Sequence, residues 1–256
     1  METVNRENMN KIAPFFQDWN ETLIWSCLQG YMGWAWADDI KTPASARIIV
    51  GDFCFFAGIP NAELVKNIPV DMGSGFILIP RNEDWAGMIE GVYGKNCKKI
   101  LRYAIRKEPD VFDRAKLHSF IKKVLPDYEL KMIDETLYNQ SKTEQWSWDL
   151  CSQFRSYRDY QTRGIGVMAL HKNTPVSGAS SYTVYDKGIE IEVDTKKEYR
   201  RKGLALACAA KLILVCLDRG LYPSWDAHDT RSVSLAEKLG YRPDKPYTAY
   251  VVSDFG

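Results

Sequence analysis

Between Leu204 and Leu217 every residue except Lys211 is apolar, and the apolar side chains surround the axis instead of forming a stripe. A helix of that kind must be covered on all sides, and it is shorter than the roughly 18 residues a membrane span requires. The rest of the chain therefore has to bury it. Strands before and after it predict a sheet against one side, and the first half of the chain is expected to cover the other.

The 256 residues are 45% hydrophobic and 26% charged, which excludes a disordered chain and allows one large domain or two of ordinary size. Lys plus Arg number 34 against 33 Asp plus Glu, a formal charge of +1. No global field draws the chain to nucleic acid or to an anionic membrane, and neither partner is expected. Six cysteines without CxxC spacing and three separated histidines leave no zinc pattern and no disulfide framework. No metal ligand set is expected. Reduced thiols, and a polar stretch from Met1 to Lys11 without the apolar segment of a signal peptide, predict a cytoplasmic protein.

Periodicity predicts a helix from Phe15 to Gln29, a hairpin of Ala46 to Val50 and Phe53 to Ala57, and a strand at Phe76 to Ile79. A helix from Asp84 to Tyr93, a strand from Ile100 to Ile105 and a helix from Arg114 to Val124 follow. Pro126-Asp127 punctuates the chain. We expect residues 1–126 to form an α/β domain and residues 127–256 a second one. The second half reads as strand Tyr128 to Ile133, helix Glu144 to Tyr157, strands Gly166 to His171, Val176 to Tyr185 and Ile189 to Thr195, then helix Leu204 to Arg219. Strand Tyr222 to Ala227, helix Ser232 to Leu239 and strand Tyr247 to Val252 complete it. The class is α+β, or mixed α/β, around one twisted sheet.

The segment Glu190-Ile191-Glu192-Val193-Asp194-Thr195-Lys196-Lys197-Glu198-Tyr199-Arg200-Arg201-Lys202-Gly203-Leu204-Ala205 carries the chemistry. Alternation puts Ile189, Ile191 and Val193 on one face of a strand and Glu190 and Glu192 on the other. The strand runs through a basic loop into a helix start. Gly203 allows close approach to the backbone, Ala205 keeps the first turn narrow, and the free amides of that turn lie at the positive end of the helix dipole. That is a cradle for an anion such as a diphosphate.

Arg200-x-x-Gly203-x-Ala205 between strand and helix resembles the acyl-CoA pyrophosphate loop of the GNAT (general N-acetyltransferase) superfamily. Asp229-Thr230-Arg231-Ser232 through Lys238-Leu239-Gly240-Tyr241 resembles that superfamily's later helix signature. Ile189-Glu190-Ile191-Glu192, Gly203-Leu204-Ala205, Pro223-Ser224-Trp225-Asp226-Ala227 and Leu235-Ala236-Glu237-Lys238-Leu239-Gly240-Tyr241 resemble its zwittermicin A resistance branch. The resemblance spans roughly Asp127 to the end. It implies a mostly antiparallel sheet splayed between the strand ending at Thr195 and the strand Tyr222 to Ala227. The pantetheine arm of acetyl-CoA would pair with backbone at Val193, Asp194 and Thr195. Arg200, Arg201, Lys202, Gly203, Leu204 and Ala205 would hold the pyrophosphate, with Asp229 and Ser232 beside the cofactor. The first half would be a degenerate copy of the same fold that contributes an acceptor pocket.

Two departures bear on mechanism. Many members of the superfamily carry a proton-donating Tyr where this chain has Ala236, and an Asn where it has Asp229. A thiol of pKa about 8.5 leaves as thiolate only ~2 kcal/mol above neutrality, whereas freeing an amine of pKa about 10.4 costs roughly 4.6 kcal/mol at pH 7. The base is the more necessary partner. Glu190, first, and Glu192 are the candidates, directly or through water, with His228 as the other. His171 and His118 read as structural. Trp34, Trp36, Trp146, Trp148 and Trp225 read as core or interdomain surface, Gly73-Ser74-Gly75 as a turn, and Lys95, Lys98 and Lys99 as solvated surface.

The expected activity is acetyl-CoA-dependent N-acetylation of a small amine, by direct attack in a ternary complex. Family resemblance points to an amino-bearing antibiotic as the acceptor. The alternatives are an acyl-CoA binding or sensing module without turnover, which Ala236 keeps open, and acyl or aminoacyl transfer from a larger donor, with the neutral charge weighing against a tRNA donor. Oligomeric state is not readable from the sequence.

Overall fold

The computed structural model of the chain describes residues 1–68 and 75–252. It divides into two compact units, Met1–Arg102 with Pro246–Gly256, and Tyr103–Lys245.

The first unit contains β1 (Glu2–Val4), α1 (Met9–Ile12), α2 (Thr22–Leu28), β2 (Trp34–Ala37), β3 (Ser45–Val50), β4 (Phe53–Gly58), α3 (Ala62–Lys66), β5 (Phe76–Pro80), α4 (Glu83–Tyr93) and most of β6 (Cys97–Ile105). The last strand of the chain, β13 (Pro243–Val252), lies between β5 and β6 in the order β1-β2-β3-β4-β5-β13-β6. β4 and β5 run parallel, and β3 and β4 form the hairpin that Gly51-Asp52 predicts. Every residue of β3 is buried, as befits a central strand. Phe56, Trp85, Phe76 and Tyr250 fill the core beneath it. Arg47 is wholly buried, and burying its charge is tolerable because Nη1 and Nη2 donate to the carbonyls of Leu64 at 2.6 Å and Asn67 at 2.7 Å while the guanidinium lies over Trp36.

The second unit contains α5 (Arg114–Lys122), β7 (Tyr128–Met132), α6 (Glu135–Ser141), a 3-10 helix (Gln145–Leu150), α7 (Tyr157–Arg163), β8 (Gly166–His171), β9 (Thr174–Tyr185) and β10 (Gly188–Thr195). After these come α8 (Leu204–Asp218), β11 (Tyr222–Ser224), β12 (Asp226–Ala227) and α9 (Thr230–Leu239). Its sheet has the order β11-β10-β9-β8-β7. Two tight turns join β8 to β9 and β9 to β10, with Lys172, Asn173 and Lys187 at positive φ. Adjacent residues of β9 show how the sheet is covered. The Ser177 hydroxyl lies beside Cys208 of α8, and Gly178 lies under Leu150 of the 3-10 helix. α8 also packs on α5, so the all-round apolar helix is covered by sheet and by an earlier helix. Among the described residues no helix is long and apolar enough to cross a membrane.

Three expectations need correction. The helix from Phe15 to Gln29 is a 3-10 helix, Ala13–Phe16, and then α2, because Asp18 takes φ 59° between them and Glu21 caps the Leu23 amide. The helix from Glu144 to Tyr157 is likewise absent. Asp134 caps α6, Ser156 caps α7, and only the 3-10 helix lies between. The strand Tyr222 to Ala227 is two strands that break at Trp225 and pair with different neighbours. Gly73 and Ser74 lie outside the described residues; Gly75 directly precedes β5.

Candidate active site

β10 pairs with β9 along its whole length, Gly188 opposite Tyr185 through Thr195 opposite Ser177. On its other side it pairs with β11 only at Gly188, Ile189 and Glu190. After Ser224 the chain turns away, and Asp226 and Ala227 pair instead with Ala104 and Tyr103 of β6. Ile191 to Thr195 therefore have no β11 partner, and a gap opens along that edge of β10. The register with β9 slips between Glu190 and Ile191, at the closed end of the gap.

The loop after β10 bends back to α8 through a short 3-10 helix, Lys197–Tyr199, with Arg201 at φ 63° and Gly203 at φ 78°. Positive φ at two nearly adjacent positions curls the backbone into a concavity of the kind that binds anions. Among the described α-helices of seven or more residues, α8 is the one that opens without a side-chain cap. A Cβ placed on Gly203 would meet nothing within 4 Å, so the ground before those amides is open. These groups suit a diphosphate.

The basic residues of the loop divide by role. Lys196 Nζ pairs with Glu144 Oε2 at 2.8 Å, and Arg200 Nε donates to the Thr195 carbonyl at 3.1 Å. Lys202 Nζ donates to the Tyr128 hydroxyl at 3.3 Å and lies over the ring of Tyr199. Tyr199 in turn meets His171 Nδ1 at 3.0 Å, and His171 lies against Tyr128, its cross-strand partner. His171 thus props the loop, a role that sequence spacing does not reveal. Arg201 is exposed, and among the described residues its side chain makes no hydrogen bond or ion pair.

Along the gap, Glu190 is buried, Glu192, Val193 and Asp194 are half-buried, and Thr195 is buried with Oγ1 at 2.7 Å from Ser177 Oγ. Burial pushes the Asp194 carboxyl up, against the Thr195 amide and Arg200, which pull it down. Arg200, Arg201, Lys202 and Gly203 are exposed, Leu204 is buried and Ala205 is half-buried. Asp229 caps α9, accepting from the Arg231 and Ser232 amides, and Ser232 Oγ accepts from Trp225 Nε1 at 3.0 Å. His228 is exposed just beyond β12, and Ala236 is fully buried. Thr183, Tyr185 and Ser224, which flank Glu190, are absent from the sequence-derived set. The only hint of them is Gly188, across which the Tyr185 ring lies.

The fold has known counterparts. A crystal structure of a GCN5-related N-acetyltransferase-like protein from Streptococcus suis 89/1591 is 46% identical with a TM-score of 0.91, covering 95% of this chain and 98% of that one. An N-acetyltransferase of Bacillus subtilis 168 named YdfB and described as uncharacterized is 27% identical, covering 98% of each chain. A tandem GNAT protein from the clavulanic acid biosynthesis pathway is only 9% identical but has a TM-score of 0.59 over 99% of this chain and 98% of its own, a likeness of fold alone. The profile described as GNAT acetyltransferase matches residues 13–250, well beyond the second half in which the sequence motifs lie, and the chain belongs to that family.

Proposed function

We propose that the chain is an acetyl-CoA-dependent N-acetyltransferase that modifies a small amine by direct attack within a ternary complex. The observation that carries this reading is the meeting of the open edge of β10 with the uncapped start of α8. One supplies an extended backbone for a pantetheine arm, the other a cradle for its pyrophosphate. Val193, Asp194 and Thr195 would pair with the arm, and the amides from Arg201 to Ala205 would hold the phosphates, with Arg201 adding charge. Bound acetyl-CoA supplies an activated thioester.

The chain's own contribution is alignment and removal of a proton. Glu190 takes the proton of the acceptor amine, directly or through one water. The nitrogen lone pair forms the C–N bond, and the C–S pair leaves with sulfur as thiolate. With Ala236 in place of a tyrosine, the position on α9 that supplies the acid in many members of the superfamily carries none here. The resemblance of Pro223-Ser224-Trp225-Asp226-Ala227 and neighbouring motifs to the zwittermicin A resistance branch favours an amino-bearing antibiotic as acceptor. Calorimetry with acetyl-CoA and thiol release across an amine panel test the reading. Binding without thiol release on any amine would favour a sensor, the reading that Ala236 supports; no binding would remove both.

A further inference from the structure

At the closed end of the gap three neighbouring strands set polar side chains in a row. Thr183 of β9 stands opposite Glu190 of β10, which stands opposite Ser224 of β11. Cross-strand partners share a face of the sheet. Glu190 is 5% exposed, and Thr183 and Ser224 are fully buried. Two pairs further along the strands, the Tyr185 ring crosses Gly188, where an added Cβ would run into the ring and its hydroxyl. That passage brings the hydroxyl to 2.7 Å from Ser224 Oγ. Thr183 Oγ1 is buried with no hydrogen-bond partner among the described residues, an unfavourable state beside the one carboxylate of the row.

We propose that Tyr185, Ser224 and Thr183 are positioning residues for Glu190: their hydroxyls fix its carboxyl, and a water beside it, where the acceptor amine delivers its proton. This rests on reading the gap as the acetyl-transfer site. The surrounding titratable groups agree with it. Tyr185 on β9, Tyr222 on β11 and Tyr241 after α9 all feel the charge of Glu190, and burial keeps all three neutral as donors, with Tyr222 pushed up to about 12. Cys216 of α8 and Glu108 lie near the same tyrosines. Glu192 and Asp194 extend along β10 itself.

The test is carbon-13 NMR of the whole protein labelled at glutamate carboxyls, with the Glu190 resonance assigned by its loss in Glu190→Gln. Removing donors from a carboxylate raises its titration midpoint. Tyr185→Phe and Ser224→Ala are each expected to raise that midpoint by about half a unit or more, and the double variant to add little, since the two hydroxyls act as one. In turnover with acetyl-CoA and an accepted amine, both should lower kcat and move the acid limb of the profile while leaving acetyl-CoA affinity unchanged. A Glu190 midpoint unmoved in either folded variant overturns the proposal. The titration needs no ligand, so a chain that binds no acetyl-CoA would defeat the functional reading separately. Should Tyr185→Phe not fold, Ser224→Ala decides alone.

Discussion

Lys211, the one charge between Leu204 and Leu217 of the helix α8, donates from Nζ to the carbonyl of Leu130 at 2.6 Å and so ties the helix to the edge strand β7. The side chain is half-buried and its head finds an acceptor, so its four-carbon stem can serve as an apolar side chain would. Lys211→Ala is expected to lower the unfolding free energy by roughly 1.5 kcal/mol, the scale of a hydrogen bond from a charged donor. Lys211→Met, which keeps the stem, should lose less. Equal losses in urea unfolding would mean that the stem contributes nothing and the bond to Leu130 carries the whole effect, whereas no loss in Lys211→Met would mean that the bond contributes nothing.

Gly203→Glu should abolish acetyl-CoA affinity, since a carboxylate would project into the open ground before α8. Left-handed backbone at a non-glycine residue costs about 1–2 kcal/mol, so the melting temperature should fall only modestly. Gly203→Ala separates the two effects, because it carries the backbone cost without the charge. Calorimetry showing unchanged affinity in Gly203→Glu would remove the cradle from this loop.

Glu190→Gln should depress turnover most at neutral pH and recover as alkalinity frees the amine without help. Glu192→Gln should not show that profile. If it does, and Glu190→Gln does not, the base is the half-buried glutamate, not the buried one.

Gly188→Ala should destabilise the fold by about 1–3 kcal/mol, the usual cost of forcing a side chain into filled space. The space is filled by Tyr185, so Gly188→Ala with Tyr185→Ala should cost less than the two single changes added together. Strict additivity in chemical unfolding would place the conflict elsewhere.

Burial raises the Asp194 carboxyl, so between the ordinary carboxylate range and its raised value the folded chain keeps a proton that the unfolded chain gives up. Its contribution to stability is therefore complete below the ordinary value and is lost as pH climbs through the raised one. Asp194→Asn should flatten that fall, so the variant gains on the parent as pH rises from about 4 toward neutrality. Unfolding midpoints measured across that window decide it.

Much of this was legible in the sequence because the signals were local. Alternation located β8, β9 and β10, and Gly203 with its basic approach located the start of α8. The segments that misled lack such periodicity. Gln145 to Leu150 is aromatic and apolar enough to imitate a helix, but Asp134 and Ser156, both good caps, start helices on either side of it. Trp225 sits in a run that reads as one strand, because sequence cannot show that pairing partners change at that residue. The row of Thr183, Glu190 and Ser224 is set by register across three strands, the third of them reached only after α8, which no spacing along one strand encodes.

The break at Trp225 has a further consequence. The gap beside β10 is held open at its closed end by the ladder with β11 and beyond Ser224 by the ladder of β12 with Tyr103 and Ala104, main-chain scaffolding indifferent to which side chains decorate the walls. On the proposed reading, such a cleft can be relined for a new acceptor, one surface residue at a time, without disturbing the backbone edge assigned to the donor.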